Sequence, residues 1–494
     1  MVSPNATASR SQTLLKKDAI GVLGILFFVL SAQAPLTCVV GIGAIAITLG
    51  NGPAFPSAYL IVGVVMLVFS VGFTAMTRHV SNHGGFSALI EAGLGRRAGA
   101  VAAWLAVLSY SVVQASLYGL LGVTVSSLID QYTGVHVPWW LIALVAVAGI
   151  LVLGESNIEF GARILSILVT AEFLILFAFA LVVIFGGRTA EGIDLGASFS
   201  PSAIAAGAPG IAFMFAIAAM FGFESTTIYS AEARDRKRTV PRATYTAVII
   251  MAVFLALSLW ALVLYYGPSH VESVAAAAMQ GDAAAFVTAP LSAVLGPWAG
   301  ITASVLLCTS LIAALLAFHN VINRYLHAMA GRGFLPSALQ RTNRHHAPAI
   351  AARVQTALSI LSVAPFAVFG LPPLTTLFDW FQGLGIAALV TLYVLTSIAV
   401  IVFFRRTKHD TRLWHTLIAP AIAVVMMVAQ LALIVANFPM LSGGDTLTSA
   451  ILLAIVPVVV VIGWLVAGRA PQPAAAGSTA AHPPTAELQA VSAP

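Results

Sequence analysis

Long apolar runs separated by short polar loops dominate the chain, most of them near or above the ~20 residues that a bilayer-spanning helix needs. They fall at 20–49, 57–77, 98–129, 138–154, 163–185, 209–231, 243–266, 298–328, 350–371, 375–403, 414–437 and 447–467. The pattern predicts an all-α integral membrane protein with about twelve transmembrane helices. Several runs exceed what one crossing requires, which predicts tilt or interruption. Residues 1–19 read as a polar tail, and 469–494, rich in Ala, Pro, Ser and Thr, read as a disordered one. The stretch 79–95, with its Gly84-Gly85 turn, reads as a short interfacial helix. The weakly apolar stretch 268–297 reads either as a gating loop or as a spacer.

Composition sharpens this picture. Of 494 residues, 60% are hydrophobic and 8% charged, where a soluble domain carries about 25% charged residues. Too few charges remain to cover a water-facing surface, so most of the solvent is lipid. The net charge of +6 admits an anionic partner, and the positions of the bases decide the matter. With the N-terminus in the cytoplasm, 22 of the 23 Lys and Arg fall in inner segments and Arg188 alone falls outside. That asymmetry predicts both termini in the cytoplasm of a multi-pass protein of the cell (inner or plasma) membrane. It makes the basic balance topological, with no nucleic acid as partner. Cys38 and Cys308 lie in apolar runs and offer neither metal spacing nor a disulfide framework. Without a His-x-x-His pair or paired carboxylates, no enzyme and no cofactor are expected.

Two runs carry the residues that interrupt helices. At the centre of the first, Ser31-Ala32-Gln33-Ala34-Pro35-Leu36-Thr37 places a proline with no amide hydrogen between polar side chains. This is either a proline kink packed on small residues or an opened segment whose free amides bind a carboxylate. In the sixth run, Phe221-Gly222-Phe223-Glu224 places a carboxylate at mid-depth, where charge is expensive, beside a glycine that permits a break. Glu224 is there either for function or to cap the inner half-helix. Breaks in the first and sixth spans suggest two five-helix repeats, 20–186 and 209–404, joined by an outer loop at 187–208. Two further helices then occupy 405–468.

The segment Gly222-Phe223-Glu224-Ser225, followed by Glu232-Ala233-Arg234-Asp235-Arg236-Lys237-Arg238-Thr239-Val240-Pro241-Arg242-Ala243, resembles a motif of the amino acid–polyamine–organocation family. It departs at Arg236, where a proline is common. Phe318–Leu326 and Gly331–Pro336 resemble the family's second signature, at the eighth span. The resemblance implies the leucine-transporter-like 5+5 inverted repeat, alternating access, and amino acids or amines as substrates. It places substrate between the two breaks, with backbone around Ala34, Pro35, Leu36 and Thr37 for a carboxylate. Carbonyls near Ala219 and Phe221 are then expected to hold an amine, and Phe221, Gly222 and Phe223 to close over the ligand.

Around those breaks, other residues offer two readings each. Tyr110, Gln114 and Tyr118 share a face of the third span, facing either the cavity or a neighbouring helix through hydrogen bonds. Glu172, mid-way along the fifth span where many proton-coupled relatives carry Lys, is either the coupling group, with Glu224 as its partner in gating, or a structural carboxylate met by Ser or Thr. Asp379 reads as a helix-end charge, and His319 and Asn323 read as satisfied interhelical contacts. The expected function is a secondary transporter, most simply a proton symporter for an amino acid, as a monomer or homodimer. An amino acid/amine exchanger or a polyamine- or ethanolamine-type amine transporter is the alternative.

Overall fold

The computed structural model describes residues 21–80, 85–156, 162–224, 226, 235–280, 282–343 and 347–469. The expected N-terminal tail, the tail beyond Arg469, and the motif residues Ser225 and Glu232–Arg234 lie outside them. Among the described residues there is no strand, as expected where backbone groups cannot turn to water and must bond within their own helix.

The first run is two helices. Val22–Gln33 (α1) and Pro35–Ala46 (α2) meet at Ala34, whose φ of 49° and ψ of 72° are left-handed. That conformation costs a non-glycine residue about 1–2 kcal/mol. Pro35 stabilises it indirectly, because a proline cannot continue α1 but suits the first position of α2. Gly50, with non-helical φ and ψ, and Gly52, at φ 57°, then end the run before Phe55–Thr77 (α3). Gly85–Leu94 (α4), Arg96–Thr133 (α5), Trp139–Glu155 (α6) and Ala162–Phe185 (α7) follow. Two short helices, Leu195–Phe199 (α8) and Pro201–Ala205 (α9), precede Pro209–Ala219 (α10) and Arg236–Tyr266 (α11). Val271–Gln280 (α12) and Ala285–Leu295 (α13) occupy the stretch that left a loop or a spacer open, and Pro297–Gly331 (α14) follows. Ala349–Val368 (α15), Asp379–Thr407 (α16), Ala419–Asn437 (α17) and Thr446–Arg469 (α18) complete the order. Nine helical stretches among the described residues are long and apolar enough to cross a membrane, or ten if α12 and α13 count as one. The runs at 138–154 and 209–231 are met by the shorter helices α6 and α10.

Helix α5 is the centre of the bundle, packing on α4, α14, α16 and α18, while α3 packs on α11 and α17. Lipid gives apolar side chains no reason to leave it, so close approach and hydrogen bonds carry helix association. Ser109 of α5 accordingly donates to Gly385 O of α16 at 2.8 Å. The short helix α4 lies against α5 and α16 with Phe86, Leu89 and Ile90 buried, so its apolar face meets protein.

The arginine-rich loops gather at the end of the bundle where α4 sits. Arg332 pairs with Glu91 at 2.7 Å, Arg96 stacks 5.3 Å from the Phe334 ring, and Arg406 donates to Gly93 O at 3.5 Å. At the arginine-poor end, the Ser269 hydroxyl and the His270 imidazole bond the Glu191 carboxylate and fasten the segment after α7 to the start of α12. Those bonds, Ser269 first, hold Glu191 below its ordinary value.

Two outcomes are expected. A Cβ on Gly93 would stand 2.3 Å from the Ala399 carbonyl oxygen, and backbone cannot yield, whereas one on Gly149 meets nothing within 4 Å. Gly93→Ala therefore lowers stability by about 1–3 kcal/mol, while Gly149→Ala leaves the melting temperature in detergent unchanged or raised. For Glu191, a depressed folded value means the tie contributes fully above the unfolded carboxylate range and is lost as pH falls through the folded one. Exchange of the Ser269 amide hydrogen, which bonds Glu191 Oε2 at 3.4 Å, should show extra opening in the chain as pH is lowered from neutral until the carboxylate is protonated, and no such pH-dependent opening in Glu191→Gln.

Candidate functional site

The two helix breaks are bonded to each other. Gln33, the last residue of α1, donates Nε2 to Met220 O at 3.3 Å. Cys38 of α2 donates its thiol to Gln33 O at 3.0 Å, with Ala219 O also in reach at 3.8 Å. The carbonyls that end α10, expected to receive an amine, are thus shared with α1 and α2.

Each break also carries a carboxylate on an amide that the interruption has freed. Glu172 of α7 accepts the Leu36 N–H through Oε2 at 3.0 Å, and the Ser310 hydroxyl of α14 bonds the same carboxyl. Glu224 accepts the Gly222 N–H through Oε2 at 3.0 Å and the Tyr110 hydroxyl through Oε1 at 2.6 Å. Both carboxyls are buried. Gly222 stands at φ 105°, a conformation open to glycine at little cost. Hydrogen bonds to an ionised acceptor are roughly twice as strong as neutral ones, which suits amides that lipid cannot satisfy.

Between the breaks lies a cavity of about 40 Å³, room for a few water molecules. Gln33, Thr37 and Gln382 bring polar side chains to it, and Phe221, Phe318 and Phe378 supply aromatic walls. Gln33 Oε1, Thr37 Oγ1 and Gln382 Oε1 are buried with no hydrogen-bond partner. Among the described residues that line it there is no Lys, Arg or His. The cavity therefore presents acceptors to a donor-rich ligand group. For an anionic one it has backbone amides, the Thr37 hydroxyl and the side-chain amide of Gln382.

Of the expected site residues, Ala34, Thr37 and Phe221 line this cavity. Pro35 and Leu36 occupy the same turn, with the Leu36 amide already on Glu172. Tyr110 sets its ring edge-on to Phe221 at 4.8 Å and against Phe318 at 5.8 Å. Phe223 points elsewhere, into the rings of Phe69, Phe73 and Tyr393. Gln114 also faces away: Nε2 donates to Leu315 O at 2.9 Å, and Oε1 accepts from Gln355, which in turn bonds His319 and Ser359. The tyrosine–glutamine stripe thus divides, Tyr110 to the site and Gln114 to an interhelical network. Gln33, Cys38, Phe318 and Gln382 join the cavity without having been expected there. Gln33 and Gln382 had a signal, as amides inside apolar helices; the other two had none.

The family model for amino acid permeases matches residues 24–478. The chain belongs to the amino acid permease family. Its superfamily is the one that the sixth- and eighth-span motifs resemble, and it is a multi-pass membrane protein. It is similar to the L-lysine transport protein of Corynebacterium glutamicum, 27% identical over 328 residues that cover 64% of this chain and 63% of that protein. It is also similar to the gamma-aminobutyric acid permease of Escherichia coli (strain K12), 23% identical over 333 residues covering 64% and 68%. The match spans less than two thirds of the first relative's length.

In this chain the Tyr110 hydroxyl is a stability element as well as a neighbour of the cavity. Tyr110→Phe removes a 2.6 Å donor from a buried carboxyl, and a loss of about 1–3 kcal/mol is expected in denaturation from detergent. Gln114→Glu, which adds charge to the Gln355–His319 network, should also destabilise, and because the two residues lie one turn apart on α5 the double variant should depart from the sum of the single effects.

Proposed function

We propose that the chain is a secondary transporter that takes up an amino acid together with a proton by alternating access. Its substrate site is the cavity between the two breaks. The arginine-rich end of the bundle faces the cytoplasm, following the distribution of Lys and Arg. Twelve spans in two inverted five-helix repeats, with α17 and α18 added, are the layout this reading adopts. Family membership and the transport named for both relatives support transport in preference to catalysis.

One observation carries the coupling: the Leu36 amide, in the turn between cavity-lining Ala34 and Thr37, is held by Glu172. An ionised Glu172 occupies the donor that a substrate carboxylate needs. A proton on Glu172 weakens that bond and releases the amide at the positive end of α2, where an anion is favoured. The substrate's ammonium then meets the unpartnered oxygens of Gln33 and Gln382 and the negative end of α10. Proton and carboxylate are thereby linked through a single N–H, and binding of each assists the other. Glu224, committed to Gly222 and Tyr110, holds the second break and acts in gating.

Uptake by the purified protein in vesicles tests this. With no internal substrate and an inward proton gradient, the chain should accumulate its amino acid. Glu172→Gln should bring accumulation down to the equilibrium level while still exchanging labelled for unlabelled substrate. Gradient-driven accumulation that survives in Glu172→Gln would remove the residue from the coupling role. Uptake that requires internal amino acid or amine would establish an exchanger instead.

A further inference from the structure

Helix α3 packs on α11 and on α17, and a single stripe of it stays open to lipid. Leu60, Ile61, Val64, Leu67, Val68 and Val71 are its positions that are not buried. At 3.6 residues per turn they fall within about a third of the helix circumference. From Leu60 to Val71 the stripe is about 16 Å long, roughly half of the ~30 Å hydrocarbon core. It thus matches one acyl chain of one leaflet. Arg78, the next residue after α3, keeps helical φ and ψ of −71° and −23°. It stands about five full turns beyond Leu60, so the apolar stripe ends on a cation.

That cation belongs to a cluster built from two elements. Gly72 of α3 is so near Pro420 of α17 that an added Cβ would stand 2.6 Å from its ring. The turn Trp414–Ile418, which leads into α17, packs on α3 as well. The charges of Arg78 and Arg412 both reach His415 in that turn. Arg78 Nε and His415 Nδ1 are buried with no hydrogen-bond partner. An arginine nitrogen only donates, and a histidine Nδ1 donates whenever it carries the hydrogen. The nearby carboxylate does not answer them, because Asp410 is held by Arg412: Nη2 donates at 2.7 Å and Nε at 3.1 Å. Leu413 and Trp414 stand exposed beside the cluster, and Trp is a residue that favours the head-group level.

We infer that this face binds an anionic phospholipid, its phosphate held by Arg78, Arg412 and His415 and one acyl chain laid along the α3 stripe. The inference needs the chain to sit in a membrane and is independent of what it transports. A basic surface alone attracts any anion at long range and is screened by salt. Two buried donors without partners ask for more, an acceptor at hydrogen-bond distance, and arginine suits phosphate oxygens. The shared chemistry is a phosphate group. Free phosphate is the competing source, and it has no chain to cover the stripe.

The experiment is a melting titration of the purified full chain in neutral detergent with dioleoylphosphatidylglycerol. Dioleoylphosphatidylcholine and inorganic phosphate are titrated in parallel at equal ionic strength. A ligand that binds only the folded chain raises its melting temperature. Phosphatidylglycerol should do so saturably, and the zwitterionic lipid and inorganic phosphate should not. Arg78→Gln should raise the phosphatidylglycerol concentration for half the effect by about tenfold or more, the scale of one charge-assisted hydrogen bond. His415→Phe, which removes the other unpartnered nitrogen, should act in the same direction and stands in if Arg78→Gln does not fold. Arg341→Gln, at an exposed base outside the cluster, should leave the titration unchanged. The inference is overturned by no saturable stabilisation with phosphatidylglycerol, or by equal stabilisation with either comparison ligand. An unchanged titration in both cluster variants, or an equal weakening in Arg341→Gln, would overturn it too.

Discussion

A helix opened inside a bilayer frees amides that neither lipid nor the next turn can satisfy, and everything at the centre of this protein follows from how those amides are met. An unsatisfied backbone group in hydrocarbon costs several kcal/mol, more than the ~1–2 kcal/mol of left-handed strain at Ala34. At each break a carboxylate answers this cost. Glu172 reaches from α7 to Leu36, and Glu224 turns back on Gly222. The first break is therefore held from outside the broken segment, while the second carries its own clamp and is tied to α5 through Tyr110. Their positions fix where α1, α2 and α10 end and where a cavity can exist.

The bonds around that cavity are not of equal strength. Gln33 to Met220 O is a neutral bond at 3.3 Å, and the Cys38 thiol is a weak donor. Net contributions of ~0.5–1.5 kcal/mol are usual for neutral hydrogen bonds, and ~1.5–3 for those to charged groups. The stitching between the two breaks is thus the part that opens at small cost, whereas the carboxylate clamps keep each break intact. A cavity with room for only a few waters must widen to admit an amino acid, and the neutral bonds across it are where widening can begin.

The breaks themselves were legible because proline and glycine act locally: Pro35 removes a donor and Gly222 permits a backbone that other residues avoid, whatever surrounds them. Glu172 and Glu224 were legible because a carboxylate in an apolar run demands a partner. Facing was not. Phe221 and Phe223 are two residues apart around a glycine outside helical geometry, so helical spacing gives no rule for which ring meets the cavity. Gln114 sits one turn from Tyr110 on the same face of α5, yet its amide finds Leu315 and Gln355 because α14 and α15 cross there. Such outcomes depend on interhelical distances, which hydropathy does not encode. Asp379 shows the same limit. Its place at a helix start was readable from its position, but its burial beneath α12 depended on a segment that could equally have been a spacer.

The absence of a fixed cation among the described residues lining the central cavity has a physical consequence for coupling. A lysine there would bind a carboxylate in every protonation state, and a proton would add nothing. With Glu172 on the Leu36 amide, the proposed loaded site holds a neutral carboxyl and a zwitterion, so its net charge is zero. The unloaded, deprotonated site holds one carboxylate whose charge is answered by an amide and a hydroxyl. Each state is then tolerable at low dielectric, while a site holding both an ionised Glu172 and a substrate carboxylate would place two like charges on one donor. At a few ångströms inside a protein that repulsion amounts to several kcal/mol even at an effective dielectric constant of about 20. A single N–H shared by two possible anions is thus enough to make proton and substrate move together.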